Sequence, residues 1–431
     1  MKDPPPLQAG TGWRAELAPW YGAYLILGLI NSGLVPFLLP LVVAEHGGSL
    51  GEVGYVVGAY NAGLLPAPLL GVLVERRRAF RAVFFGGFVV LAAALAALPE
   101  ARLGSTSAVL AALMGLGVGA VATVAPLFIV DFLPKPEWEP RIGWLQSFNG
   151  AGQVVGLLLA GAIAEGPPAR GFWLGAASAL AALAVGQIGL PAAGGRHAVG
   201  LPHIGWARLM RHFPPGHGGG LLQHSHHLGR AALNRLPHAL GGEFGRFLLA
   251  WFAWNLGVAP FFTYYPLLME KTYGVAPAES ALLYALAAGI GVGLFVSAGW
   301  AARRLGGAAV FLAGLALRAT GFVLLGLLAA RLVPAAAVAA PVGFVVVQLG
   351  WPLLSVSGTG LAAKLTPIGE GAAMGLLSAS GALATVAGSF LGGPIVAALG
   401  YGVVAPIALA GLAAAAVLTL GRPADPEAGK A

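Results

Sequence analysis

Two stretches of the chain spell one pattern. Asn31-Ser-Gly33-Leu-Val-Pro36-Phe37 and Asn255-Leu-Gly257-Val-Ala-Pro260-Phe261 both read N-x-G-x-x-P-F, 224 residues apart. Each lies inside an apolar run of about 20 residues or more, the length that crosses a hydrocarbon core as a helix. A second pair follows each run's neighbour. Gly71-Val-Leu-Val-Glu75-Arg76-Arg77-Arg78 is matched, 228 residues later, by Gly299-Trp-Ala-Ala-Arg303-Arg304-Leu-Gly306. A third set, Gly143, Gly156 and Gly161, is matched by Gly375, Gly388 and Gly393 at an offset of 232. Chance matching of glycines in apolar sequence explains any one pair but explains three ordered matches poorly. The chain reads as two homologous halves, an arrangement in which one half can rock against the other around a midplane site.

Working outward, twelve apolar runs emerge, at about 20–43, 50–74, 80–99, 105–130, 141–164, 171–190, 246–269, 277–301, 306–329, 334–362, 370–397 and 401–420. The expected class is an all-α membrane protein with twelve transmembrane helices in two pseudo-symmetric six-helix bundles. Residues 1–190 form the first bundle, 191–245 a central cytoplasmic loop, and 246–431 the second bundle. Composition agrees. Of the 431 residues 58% are hydrophobic, mean hydropathy is +0.83, and only 9% are charged, against roughly 25% in a soluble protein. Such a chain could not clothe a water-facing globule. The 67 glycines suit membrane helices, where small residues let backbones approach. The runs are continuous rather than alternating, which argues against a transmembrane barrel.

The net charge of +8 does not signal nucleic acid here. With both termini placed in the cytoplasm, nineteen of the 24 Lys and Arg residues fall on the inner side and four outside, as the positive-inside rule requires. Arg318 alone lies within a span. Cysteine is absent, which removes disulfides and thiolate metal sites. The first residues hold no apolar core ahead of the first span, so no cleavable signal peptide is expected. The expected location is the cell membrane.

The loop after span two resembles the signature of the major facilitator superfamily, G-x-x-x-D-R-x-G-R-R. Gly71, Glu75 and Arg76 fit, with Glu in place of Asp. Arg78 stands where the second Gly belongs, and Arg77, Arg78 and Arg81 keep the loop positive. The second copy keeps Gly299, Arg304 and Gly306 but has Arg303 in place of the acid. Span five is similar to the antiporter motif of the drug-efflux branch, G-x-x-x-G-P-x-x-G-G, at Gly152, Gly156 and Gly161, with Leu157 and Ala160 departing from it. A glycine-rich packing face accounts for span five equally well. The resemblance implies a twelve-helix alternating-access transporter whose cavity is lined by spans one, two, four, five, seven, eight, ten and eleven. It also implies a cytoplasmic gate. There Glu75 faces the start of span eleven near Gly371, and the Arg76–Arg78 group faces Asp131 at the end of span four.

Polar residues inside spans are costly and often functional. On the implied cavity spans these are Asn31, Asn61, Gln146, Asn149, Gln153, Asn255, Gln348 and Ser380, with Trp254 and Trp351 as stacking surfaces. Each amide has a blander reading as a bond to a neighbouring helix. The symmetric placement of Pro36 and Pro260 predicts that both helices open near mid-depth beside Asn31 and Asn255. Arg318 falls on span nine, outer scaffold by the resemblance, so snorkelling or a carbonyl partner is the expectation. No Asp or Glu lies near mid-depth in any span. Coupling to protons or another ion would therefore run through terminal acids such as Glu52 or Asp131, or transport would be facilitated diffusion. Ser49-x-x-Glu52 also reads as a capping box.

Eight of the nine histidines lie in the central loop, without carboxylates beside them, and no metal or cofactor is expected. In residues 204–213 the apolar and basic side chains separate onto two faces, which suits a helix on the membrane surface. No H-E-x-x-H or G-x-S-x-G motif points to an enzyme. The reading is a monomeric transporter of a small organic solute in membrane lipid, exporting a drug or metabolite. Uptake of a sugar or other polar metabolite is the alternative, and a non-transporting sensor is the alternative of another class.

Overall fold

The computed structural model describes residues 17–66, 70, 74, 78–132, 138–188, 190, 241–332, 336–367 and 370–420. It is all-α, with no strand among the described residues. In chain order the helices are α1 (Tyr21–Glu45), α2 (Leu50–Leu64), α3 (Phe80–Ala97), α4 (Ser105–Phe132), α5 (Trp138–Ala164), α6 (Ala169–Gln187), α7 (Glu243–Tyr273), α8 (Pro277–Leu305), α9 (Gly307–Ala329), α10 (Ala336–Leu365), α11 (Glu370–Leu399) and α12 (Val404–Leu420). Eleven of them are long and apolar enough to cross a membrane. The twelfth, α2, is described over 15 residues only. Large apolar side chains such as Val89, Val109, Leu180, Leu249 and Val338 stand exposed, as expected where the surrounding solvent is lipid. The histidine-rich loop and the 204–213 segment lie outside the described residues.

The helices pack alike in both halves. In the first, α1 packs on α5 and α6, α2 on α4, and α3 on α4 and α6. In the second, α7 packs on α11 and α12, α8 on α10, and α9 on α10 and α12. Adding six to each helix number turns one set into the other. Between the halves the main pairings are α2 with α11 and α5 with α8, mates under the same rule, and α1 with α7. This is the pseudo-two-fold expected from the sequence repeats.

Lipid tails are as apolar as leucine, so these helices associate through close packing rather than hydrophobic drive. Glycine makes the approach possible. A Cβ on Gly152 would sit 2.8 Å from the Leu29 nitrogen, and one on Gly33 would sit 2.5 Å from the Gly156 Cα. Gly152 and Gly156 thus hold α5 against α1.

The N-x-G-x-x-P-F repeat does not give the same backbone twice. In α1, residues Leu29–Leu34 form a π-helical stretch just before Pro36. Such insertions widen a helix and leave carbonyls less well paired. In α7 the helix runs unbroken through Pro260 and Pro266, which corrects the expected symmetric opening. There the Leu256 carbonyl, which Pro260 cannot serve with an N–H, abuts α11 at Gly388, where a Cβ would lie 2.7 Å from it.

Among the described residues, contacts between the halves lie at the end opposite residues 17 and 420. The Tyr264 hydroxyl donates to the Leu50 carbonyl (2.6 Å), Phe37 packs edge-on against Tyr265, and Tyr55 meets Phe390. Gly54 approaches Gly393, and Gly161 approaches Ala281. Toward the terminus end, Gly150 on α5 and Gly289 and Gly293 on α8 have no atom within 4 Å of a built Cβ. Among the described residues the two bundles meet at the distal end.

Candidate functional site

The polar side chains at mid-depth form four groups. In the first bundle, Asn31 is buried within the π stretch, where its Oδ1 accepts from the Tyr60 hydroxyl (2.6 Å) and its Nδ2 donates to Ser32 (3.2 Å). On the α1–α5 face, Gln146 reaches the Tyr24 hydroxyl and Asn149 approaches the Tyr24 carbonyl at 3.5 Å. Half-buried Gln153 has no hydrogen-bond partner among the described residues. At the junction of the halves, Asn61 donates to Ser389 (3.4 Å), which shares a 3.0 Å bond with Thr263. That chain joins α2, α11 and α7.

The second bundle holds a different kind of group. Arg318 leaves the middle of α9 and is only 2% exposed. Its guanidinium carbon lies 5.1 Å from the Trp254 ring centre and 5.8 Å from those of Phe262 and Trp351. Gly350 opens the way inward, because a Cβ there would stand 2.6 Å from the Arg318 Cγ. Tyr284 lies within its electrostatic reach, and Gln348 approaches the Tyr284 hydroxyl. Trp254 and Trp351 sit with ring centres 6.0 Å apart. Expected snorkelling or a carbonyl partner for Arg318 is therefore corrected. The side chain turns inward, and three aromatic rings surround its charge.

The match to one family decides what this architecture is. The Major Facilitator Superfamily model matches residues 20–370. The chain belongs to that superfamily. No curated protein matches it by sequence. Among solved structures it is similar to the nucleoside transporter NupG, at 13% identity and TM-score 0.71, covering 94% of this chain and 97% of that one. It is also similar to an auto-inhibited POT family peptide transporter, at 14% identity and TM-score 0.65, covering 94% and 98%. A bacterial homologue of the iron transporter ferroportin in its inward-facing state gives 14% identity and TM-score 0.63, covering 93% and 96%. These likenesses concern the fold, which is the major facilitator fold of a multi-pass secondary transporter.

Within this superfamily fold the remaining sequence candidates fall as follows. Asn255 donates to the Trp251 carbonyl one turn back (2.8 Å), and Ser380 donates to the Leu248 carbonyl (3.2 Å), tying α11 to α7. Gly71, Glu75, Arg76 and Arg77 lie outside the described residues, as does the side chain of Asp131. Arg78, where the signature has glycine, takes a left-handed backbone with φ 53°, the region glycine enters without strain. Gly299 is half-buried on α8, and Arg304 stacks over the Trp300 ring at 4.0 Å. Glu52 completes the capping box with Ser49, its carboxylate accepting from the Ser49 N–H at 2.8 Å.

Sequence reading overlooked Tyr24, Tyr60, Tyr284, Thr263 and Ser389. The usable signal was a hydroxyl on a residue beside a mid-span amide, as Tyr60 stands beside Asn61. Tyr60→Phe would leave the buried Asn31 oxygen without its cross-helix donor. A loss of about 1–3 kcal/mol is expected for such a group, read as a lower unfolding temperature of the purified variant. Unfolding at the parent's temperature would show that the bond contributes nothing.

Proposed function

We propose that the protein moves a small organic solute across the cell membrane by alternating access, with residues 1–190 and 246–431 as the two moving bundles and 191–245 as their cytoplasmic connection. One observation carries the reading. The two bundles repeat the same helix pairings, and among the described residues their mutual contacts lie at the end away from the termini. With the termini cytoplasmic, we read this as a state shut toward the outside. Shifting to the outward state would break the Gly54–Gly393 and Asn61–Ser389 contacts and form new ones at the terminus end. The Glu75, Arg76–Arg78 and Asp131 group is positioned in sequence to latch that end. A carboxylate near a helix N-terminus and an Arg–Asp pair both strengthen when closure excludes water, so they would bias the population rather than hold cargo.

Gly152 and Gly156 of α5 pack against α1 and Gly161 against α8, so they give no guide to direction, and import and export are separate arms of the test. The protein works as a monomer in the lipid bilayer. Lacking a mid-span carboxylate, it either equilibrates its solute or couples through acids at the helix ends. The test is purified protein in proteoliposomes, loaded or bathed with a radiolabelled panel of organic anions, sugars, nucleosides and drugs, with and without a proton gradient. Saturable movement of one class is expected. Specific binding to the purified protein with no movement of that ligand in either direction would favour a sensor.

A further inference from the structure

We propose that Arg318, Trp254 and Trp351 form a subsite for a monovalent organic anion, the carboxylate meeting Arg318 and an apolar or aromatic body lying on Trp351. The inference rests on the transporter reading above, and it names the substrate class that reading leaves open. It begins from a donor excess. Arg318 is buried, and among the described residues no carboxylate pairs with it. Its Nε has no hydrogen-bond partner, and neither has the buried Nε1 of Trp254 beside it. Both are donors that cannot accept, and the neighbouring Tyr284 and Gln348 leave these two nitrogens without an acceptor. Cation–π contact with three rings replaces only part of the hydration a guanidinium loses.

The anion's charge and shape follow. Among the described residues Arg318 is the one Lys or Arg near the middle of a helix, the others standing at helix ends or in loops, so a single negative charge balances the site and a dianion would overload it. A carboxylate has two oxygens in one plane, which suits the guanidinium fork and leaves lone pairs for the Trp254 N–H. Trp351 and Gln348 are half-buried rather than sealed, and both stand on α10, at about the depth of Arg318. A residue meant only to tie α9 down would not need the passage that Gly350 keeps clear for its stem. Among the described residues the first bundle holds no buried Lys or Arg. The corresponding stretch of α3 is apolar, with Val89, Val90 and Leu91, and the bundle's buried polar side chains, Asn31, Ser32, Ser107 and Thr123, are all neutral.

The experiment measures unfolding temperature of the full-length purified protein against ligand concentration, since a ligand held by the folded state raises it. The probes are benzoate and indole-3-acetate, each against its neutral amide, at matched ionic strength. Chloride and phosphatidylglycerol form separate arms. The parent should respond to the carboxylates at about tenfold or more lower concentration than to the amides, the factor expected for one charge-assisted pair. Arg318→Gln should remove the preference, Arg318→Lys should weaken it, and Trp254→Phe should weaken it while keeping the ring. If Arg318→Gln does not fold, the lysine and phenylalanine variants carry the comparison. Equal response of the parent to acid and amide overturns the proposal, as does a preference unchanged by the Arg318 variants. An equal effect of chloride or phosphatidylglycerol overturns the organic anion. The same probes are then followed in proteoliposomes. Binding that depends on Arg318 without movement would refute the transporter reading and leave the subsite standing. Movement independent of Arg318 would do the reverse.

Discussion

Gly152→Ala should lose most of its folded protein, while Gly150→Ala, two residues away on the same helix, should be at least as stable as the parent. At Gly152 the added methyl would press on the Leu25 carbonyl carbon at 2.9 Å and the Leu29 nitrogen at 2.8 Å. These are backbone atoms of α1, so no side-chain rotation relieves the clash and the helices must part. Gly156 meets the Leu29 backbone of α1, and Gly33 of α1 meets the Gly156 backbone in return, so separation there unpacks the α1–α5 seam. A cost of about 3 kcal/mol or more is expected, at the upper end for overpacking. Gly150 has nothing within 4 Å of its Cβ, and replacing a mid-helix glycine by alanine gains about 0.5–1 kcal/mol from the unfolded chain's lost freedom. Monodisperse yield and thermal unfolding of the two purified variants decide the matter. Similar curves for both would mean that the seam is softer than its geometry implies.

The fold was legible because bilayer physics leaves so few options. A chain with one long polar segment and twelve apolar runs must make helices, and the repeat offset told which helices correspond. Apart from α2, whose end lies outside the described residues, the helix ends moved by only a few residues. The α7 helix starts at Glu243 and ends at Tyr273, beyond the apolar run, because helices extend past the hydrocarbon while their end charges reach water. The site was less legible. Pattern matching predicted equal behaviour for Pro36 and Pro260, yet only α1 carries the π stretch. Its widened turn lies against the Gly152–Gly156 stretch of α5, and that partner backbone is not visible from α1's own sequence. Arg318 was misread for a related reason. Its helix does belong to the outer scaffold, packing on α10 and α12. Only the absence of a side chain at Gly350, on another helix, lets the arginine reach Trp254. Residue types inside one span are readable singly, but direction depends on what a neighbouring span omits.

Gly54→Val should shift the protein out of its present state and stop turnover, with little harm to either bundle. A Cβ at Gly54 would meet the Gly393 Cα at 2.7 Å, the Ser389 carbonyl at 2.8 Å and the Tyr264 hydroxyl at 2.6 Å. All three belong to the other half, so the strain falls on closure of the distal end and not on the first bundle's own packing. A bundle rocked open relieves it entirely. If the clash costs about 2–3 kcal/mol, within the range for overpacking, the ratio of closed to open states falls by roughly 30- to 150-fold. Gly51 is the control, since its Cβ would find only the Ser49 hydroxyl at 3.7 Å, and Gly51→Ala should leave the equilibrium alone. The chain has no cysteine, so a single reporter can be placed at will. Thr263 is buried at the shut junction, bonded to Ser389. A Thr263→Cys reporter should react slowly with a membrane-impermeant maleimide in the otherwise unaltered protein. In the Gly54→Val background it should react at least about tenfold faster, as the opened fraction rises. Transport should meanwhile fall toward background, because a bundle held open at one end cannot complete the cycle. Labelling and transport both unchanged by the valine would mean that the distal contacts are not what separates the two states, and the alternating-access reading would lose its main support.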